Sequence, residues 1–259
     1  MNLEASLVEL IIKQYFKVYW MGVLNKYSVQ RVGFKDVDEW LLYKHYAKRR
    51  CNVMFAFALV DGFEVVGVCT LGMPPTPFFS KIFAKGTYLE LNRLITNDDL
   101  DKNALSFFVG YVLRNIGNYC VVSYSDPNNG HNGYIYQATN WIYTGAGRVN
   151  QKDKRGVNKF FYNKKEYHER HIPETMARLG FILDSKKTKN QNWLDNGGEI
   201  VPQKRKHRYF YVCGNKLFKK KNLDIIKSNF EIYEYPKDAN TNYDTSYEVK
   251  NKYIQPKLI

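Results

Sequence analysis

The chain has 259 residues and a mass of 30.5 kDa, with 44% hydrophobic and 16% aromatic side chains. That supports one sizeable core and excludes a mini-protein, a disordered polymer and a collagen-like repeat. Lys and Arg number 39 against 25 Asp and Glu, a net charge of +14 that divides as +3 over residues 1–150, +12 over 151–222 and −1 over 223–259, the distribution of a polyanion-facing surface.

In chain order, Leu7 to Trp20 carries a helical apolar stripe through Leu7, Leu10, Ile11, Phe16 and Val18. Tyr27 to Val32 reads as a strand. Asp36, three residues before Glu39, is a variant capping box opening a helix through Val37, Trp40, Leu41 and Lys44 to about Ala47, with His45 in its last turn. Val53 to Val60 and Phe63 to Leu71 flank Asp61-Gly62, a hairpin signal; both strands are apolar on both faces and therefore central. Pro74, Pro75 and Pro77 end the pairing. Tyr88 to Thr96 is a strand, Asn103 to Ile116 a helix behind Asp98, Asp99 and Asp101, and Tyr119 to Tyr124 a strand. The turn Asp126 to Gly133 leads into a short helix, Tyr134 to Trp141. His207 to Cys213 is a late strand between two basic runs, and from Tyr235 the chain becomes polar and aperiodic, a tail or docked strap.

This order predicts an α+β fold around a mixed central sheet flanked by helices, with an N-terminal helical extension over 1–26, a catalytic domain over 27–222 whose segment 151–222 is basic, and a polar tail or strap over 223–259. Cys51, Cys69, Cys120 and Cys213 lack the spacing of a zinc site or a disulfide scaffold, so buried thiols are expected. No apolar run reaches the roughly 18 residues of a membrane span. The apolar start carries Glu4 and Glu9 in place of a basic leader, so a soluble cytoplasmic protein with no membrane partner is expected.

Four runs carry a resemblance: Lys44-His45-Tyr46 near Arg49-Arg50, then Glu90 to Leu94, then Val122 to Pro127 with Gly130-His131, and Gly133 to Trp141. As a set over about residues 30 to 145, and more weakly around His207 to Tyr211, they resemble the Mom family of bacteriophage DNA-modification proteins. The resemblance implies a GNAT-like fold and transfer of a carbamoylmethyl group to the N6 amine of adenine in DNA, which shields phage DNA from host restriction; if phage-encoded, the protein works in the host cytoplasm. It also implies that His45, Asp126 and Tyr136 act in the reaction and hold iron; Asp126 is expected to orient or deprotonate the amine and His45 and Tyr136 to hold the metal or the donor, while Ser123 and Arg93 join the catalytic set as groups that hydrogen-bond an adenine edge or the transferred group.

Each residue also has a plain reading. His45 can be a dipole partner or a satisfied core group, Asp126 a turn residue before Pro127, and Tyr136 a core ring beside Trp141. Imidazole, carboxylate and phenolate are all iron donors. Asn92, Gln137, Asn140 and Trp141 are substrate-binding candidates, since Asn and Gln address adenine in bidentate fashion and an aromatic ring stacks on it. Arg49, Arg50, Lys204, Arg205, Lys206 and Arg208 are DNA-phosphate candidates against a reading as solvated charge.

GNAT enzymes hold the coenzyme A pyrophosphate on a glycine-rich turn opening the helix after their fourth strand. The corresponding stretch here, Ile95 to Asp101, has three carboxylates and no glycine, so acyl-CoA bound in that way is not expected; a small molecule or a carrier remains open as donor. Two other functions compete with the DNA-modifying transferase: an acyltransferase acting on a protein or small molecule, and a non-catalytic nucleic-acid-binding protein. Oligomeric state is not legible.

Overall fold

The computed structural model describes residue 23 and residues 26–147, 157–237 and 246–250. The helical stripe expected over Leu7 to Trp20 lies outside the described residues. The hairpin is the organising element. Gly62 takes φ +59° in the turn between β2 (Phe55–Asp61) and β3 (Glu64–Gly72), and both strands are buried along almost their whole length. Strand β1 (Tyr27–Val32) pairs on the outer side of β2, and β4 (Tyr88–Thr96) pairs antiparallel to β3. Strand β5 (Cys120–Ser125) follows parallel to β4, which requires the crossover helix α2 (Ala104–Asn115) between them.

The seven-stranded sheet is completed by β6 (Ile142–Ala146) and β10 (His207–Val212), in the order β1-β2-β3-β4-β5-β10-β6. Its two faces follow strand alternation. Phe57, Leu59, Cys69, Leu71, Leu89 and Val121 face helix α2, which supplies Phe107, Phe108, Val109 and Val112. On the opposite face Ala56, Ala58, Val60 and Val68 meet Val37, Trp40 and Leu41 of α1 (Phe34–Glu39) and its continuation Trp40–Lys44. Farther along that face Cys120, Val122, Phe210 and Val212 meet Phe79, Phe83 and the helix α6 (Lys216–Asn229). The architecture is therefore the mixed central sheet flanked by helices that the sequence predicts.

Between β6 and β10, neighbours in the sheet, the chain makes an excursion with a core of its own. Strands β7 (Val157–Tyr162), β8 (Lys165–Tyr167) and β9 (Glu199–Gln203) form a three-stranded sheet in the order β8-β7-β9. One face of it packs Phe160 on Ile172, Met176 and Trp193 of helices α4 (Ile172–Arg178) and α5 (Lys189–Asp195). The sequence reading names none of these elements, nor β6 or α6: charge masks the amphipathic patterns of the inserted elements and α6, and β6 is a five-residue strand with no alternation to mark it. It also runs two helices too long. The helix after β1 is capped by Gly33, widens at Trp40–Lys44 into a π-helical turn closed by His45 N–H donating to Trp40 O at 2.9 Å, and leaves His45 extended. The helix from Tyr134, α3, stops at Ala138, and Asn140 takes a left-handed φ of +60°.

Candidate active site and nucleic-acid groove

Strands β4 and β5 pair only through Tyr88–Cys120, Leu89–Val121 and Glu90–Val122, then part. The cause is a bulge. Thr70 faces Arg93 and Leu71 faces Leu91, so Asn92 is an extra residue on β4 that bends the strand away from β5. Asn92 is held there: its Oδ1 accepts from Thr70 Oγ1 at 2.6 Å and from Cys51 Sγ at 3.3 Å, and its Nδ2 donates to Asn52 O at 2.7 Å. Where the strands separate, Ser123 Oγ donates to Leu91 O at 2.8 Å, replacing a lost ladder bond. Because Ser123 has a single hydroxyl proton, the 2.7 Å contact between its Oγ and Tyr136 Oη uses the Tyr136 proton.

Two cavities open from this split and share Tyr46, Leu91, Asn92, Arg93 and Tyr124 as a common wall. The smaller, about 280 Å³, is lined by His45, Ser125, His131, Tyr134 and Tyr136, with Asp98 also on its wall. The larger, about 710 Å³, is lined by Glu90 and Asp126 and by Arg49, Lys159, Lys204, Arg205 and Lys206. Its other wall is the outer face of the inserted sheet, Val157, Lys159, Glu166 and Gln203, opposite the face that carries Phe160. One cavity is sparsely charged and the other is a basic groove.

The loop after β5 joins them. Asp126 caps Pro127–Asn129, accepting Asn128 N–H at 3.0 Å and Asn128 Nδ2 at 2.9 Å, and pairs with Lys206 Nζ at 3.1 Å. Asn128 in turn exchanges two 2.8 Å bonds with the Lys204 backbone, so the basic run 204–206 is bolted to the Asp126 turn. The loop ends at Gly133, φ +80°, where a Cβ would sit 2.5 Å from the Tyr209 ring; Tyr209 Oη donates to Asn132 O at 2.6 Å. Only glycine fits there.

Charge states differ sharply across the site. Burial, reinforced by the nearby Arg93, His131, Lys206 and Arg49, pushes the His45 imidazole down to about 3, so it is neutral. Burial also lowers His131, with Asp126 pulling the other way. Burial pushes the Glu90 carboxyl up to about 7 even though Arg93 and Lys206 oppose it. For Asp126, burial alone would raise the pKa, but Lys206 and the Asn128 bonds outweigh it and hold the carboxyl below its ordinary value. Burial lifts the Tyr136 phenol well above the usual range.

The residues singled out in the sequence thus separate into groups. His45, Arg93 and Tyr136 line the smaller cavity, and Ser123 stands directly behind Tyr136. Asn92 lines both cavities with its side chain already engaged. Gln137 donates to Asn132 O and Pro236 O, Asn140 is an exposed turn residue, and Trp141 is a buried core ring; none of the three lines either cavity. Arg49 and 204–206 meet in the groove, whereas Arg50 is bound bidentately to Asp38 at 2.7 Å. Arg208 corrects the phosphate expectation. It is 3% exposed, donates to Thr144 and Gly147, and stacks 4.5 Å from the Phe230 ring. Alternation along β10 turns it inward, which adjacency to Lys206 in sequence conceals.

The iron expectation meets a donor set that does not fit. His45 Nδ1 accepts Ala47 N–H at 3.0 Å, Tyr136 Oη is tied to Ser123, and Asp126 lies on the other cavity with both oxygens engaged. Among the described residues no group of three or more His, Cys, Asp or Glu side chains could hold a metal ion. Glu90, His131, Tyr46 and Tyr124 were not named from the sequence as site residues. Glu90 stood inside a quoted run, but its burial depends on strands that meet only in the fold.

A model of the Mom protein family matches residues 26–237. Among curated proteins the chain is similar to the methylcarbamoylase Mom of Escherichia phage Mu, 26% identical over 144 residues, covering 50% of this chain and 60% of that protein. Among solved structures it is similar to a GNAT-family acetyltransferase from Bacillus cereus ATCC 10987, at 12% identity and a TM-score of 0.36, over 73% of this chain and 99% of the other.

Proposed function

This chain belongs to the Mom protein family, and on that premise we propose that it is a DNA-modifying transferase that places a carbamoylmethyl-type group on the N6 amine of adenine. The observation that carries the reading is the pair of cavities with a common wall: a basic groove suited to a nucleic-acid strand, and a sparsely charged chamber suited to a small donor. Such a mark on phage DNA would shield it from host restriction.

In this reading an adenine leaves the base stack and enters the groove, as any enzyme working on a base edge requires. Arg49, Lys159 and Lys204 to Lys206 meet the phosphates. Glu90 accepts the proton that N6 loses as the new N–C bond forms and the bond between that carbon and the rest of the donor breaks, the remainder of the donor leaving with the bonding electron pair. A carboxyl near 7 with no strong cation pair suits that task better than the Asp126 carboxylate, whose proton affinity is depressed by Lys206 and Asn128. Asp126 instead fixes the loop that carries the basic run. The donor enters the smaller chamber. A chamber of about 280 Å³ favours a compact donor over one held through a nucleotide diphosphate. No step is routed through iron.

Nucleoside mass spectrometry of DNA from cells expressing the protein tests the reading. A carbamoylmethyl-adenine nucleoside is the expected result, accompanied by resistance to adenine-sensitive restriction enzymes. Unmodified nucleosides alongside folded protein would refute it and leave a nucleic-acid binder.

A further inference from the structure

Past the basic groove the surface continues as two further cavities of about 670 Å³ each. Arg205 lines both the groove and the first of them, where it stands beside Gly145 and Ala146 of β6. Tyr233, Glu234 and Pro236 line the first and the second, and Tyr134 lines the second and the small chamber. The four cavities are thus continuous through shared residues, and a strand that enters the groove has a path beyond it. The chemistry changes along that path. The groove is lined by basic side chains, whereas beyond Arg205 the lining adds only Lys237 and turns aromatic: Tyr134 is 69% exposed, and Tyr233 and Tyr235 are each 37% exposed. Two of these rings are fixed in place. Tyr233 N donates to Tyr143 O at 3.1 Å and Tyr233 Oη to Glu231 Oε2 at 2.7 Å, with the ring packed on Gly145; Tyr235 Oη donates to Trp141 O at 2.6 Å. A ring that is held and still open loses little freedom when a flat partner stacks on it, and every nucleobase presents such a face.

We propose that the nucleic-acid strand leaving the groove passes Arg205 and stacks its bases on Tyr233 and Tyr134, so that nucleotides to one side of the target base add to binding and bias the sequence context. That the strand is DNA with a target adenine rests on the proposed DNA-modification reading. The aromatic track itself rests on the shared cavities and the exposed rings. Phosphates are met in the groove and bases beyond it, which divides affinity into a salt-dependent part and a salt-independent one.

Binding of the full-length chain to a single-stranded pyrimidine oligonucleotide of about 12 nucleotides with one central adenine gives the test. Tyr134→Leu and Tyr233→Leu should each weaken binding about 5-fold or more while leaving the slope of log affinity against log salt unchanged. Tyr233→Phe keeps the ring and loses the hydroxyl bond to Glu231, and it should bind like the native chain. Replacing the bases on one side of the adenine by abasic residues should weaken native binding by a similar factor, and on that strand the leucine variants should lose little more. Losses that simply add, undiminished affinity in both leucine variants, or a phenylalanine variant no better than Tyr233→Leu would each overturn the proposal. In expressing cells, the neighbours of modified adenines should become more varied in Tyr134→Leu. If the native chain modifies no DNA while the coupling to abasic strands holds, the functional reading fails and the track belongs to a nucleic-acid binder. Modification by a chain whose losses add keeps that reading and removes the track.

Discussion

Glu90 has opposite effects on activity and stability. Its carboxyl lies near 7 in the fold against 4.5 for an ordinary glutamate, because burial penalises the charged form. The folded state therefore holds the proton more tightly, and stability falls as pH rises from about 4.5 through about 7, by at most about 3 kcal/mol once the group is ionised. In the proposed reaction Glu90 must be ionised to take the proton, so activity should rise along an acid limb centred near 7 and then level off. At pH 8, Glu90→Gln should melt at a higher temperature than the native chain while losing about 100-fold or more of adenine modification. A lower melting temperature, or retained activity, would remove Glu90 from the role. Arg208 behaves in the contrary manner. Its buried guanidinium makes three hydrogen bonds and stacks on Phe230, so Arg208→Gln should cost about 2–4 kcal/mol in denaturant unfolding and leave the salt dependence of DNA binding unchanged.

The turn Trp40–Lys44 delivers His45 to the site, and it is held from the far end of the chain. Lys44, 6% exposed, donates from Nζ to Tyr247 O at 2.9 Å; Tyr247 Oη and Lys250 N donate to Glu39 Oε1 at 3.0 and 2.7 Å. Tyr247 stacks on Tyr43 at 5.5 Å and Val249 is buried against Val37 and Trp40. The segment 246–250 is thus a strap across the element that positions His45. Val249→Ala should cost about 1–2 kcal/mol in thermal unfolding, and Tyr247→Ala should lower modification about tenfold through misplaced His45. Full activity in Tyr247→Ala would mean that the strap stabilises α1 without positioning the site. A parallel strap, residues 231–237, passes β6, with Tyr235 Oη donating to Trp141 O at 2.6 Å.

Across the whole molecule the densest positive charge lies in two places. Residues 204–222 carry eight basic and no acidic side chains. Lys204, Arg205 and Lys206 stand at the groove where β10 begins, and Lys216, Lys219, Lys220 and Lys221 stand at the start of α6 beyond its other end, about 20 Å away for a six-residue strand. Neutralising the first three to Gln should reduce the slope of log affinity against log salt by about 2–3. An unchanged slope in titrations of a duplex oligonucleotide would put the DNA surface elsewhere. The inserted sheet roofs the groove while packing its other face on a separate core, so it can vary in length without disturbing the central sheet. No described helix is long and apolar enough to cross a membrane.

Local chemistry determined the elements that the sequence read correctly. The Asp61-Gly62 turn and its two apolar strands, the strand Tyr88–Thr96, the helix capped near Asn103 and the Asp126 turn all depend on residues a few positions apart, and the fold keeps them. The family motifs likewise lie in short runs. What only tertiary structure decided are quantities set by neighbours distant in sequence. Burial raises Glu90 and neutralises His45, strand alternation withdraws Arg208, and a one-residue bulge at Asn92 opens the split that makes both cavities. Desolvation and strand register are properties of the packed sheet, and no residue carries them alone.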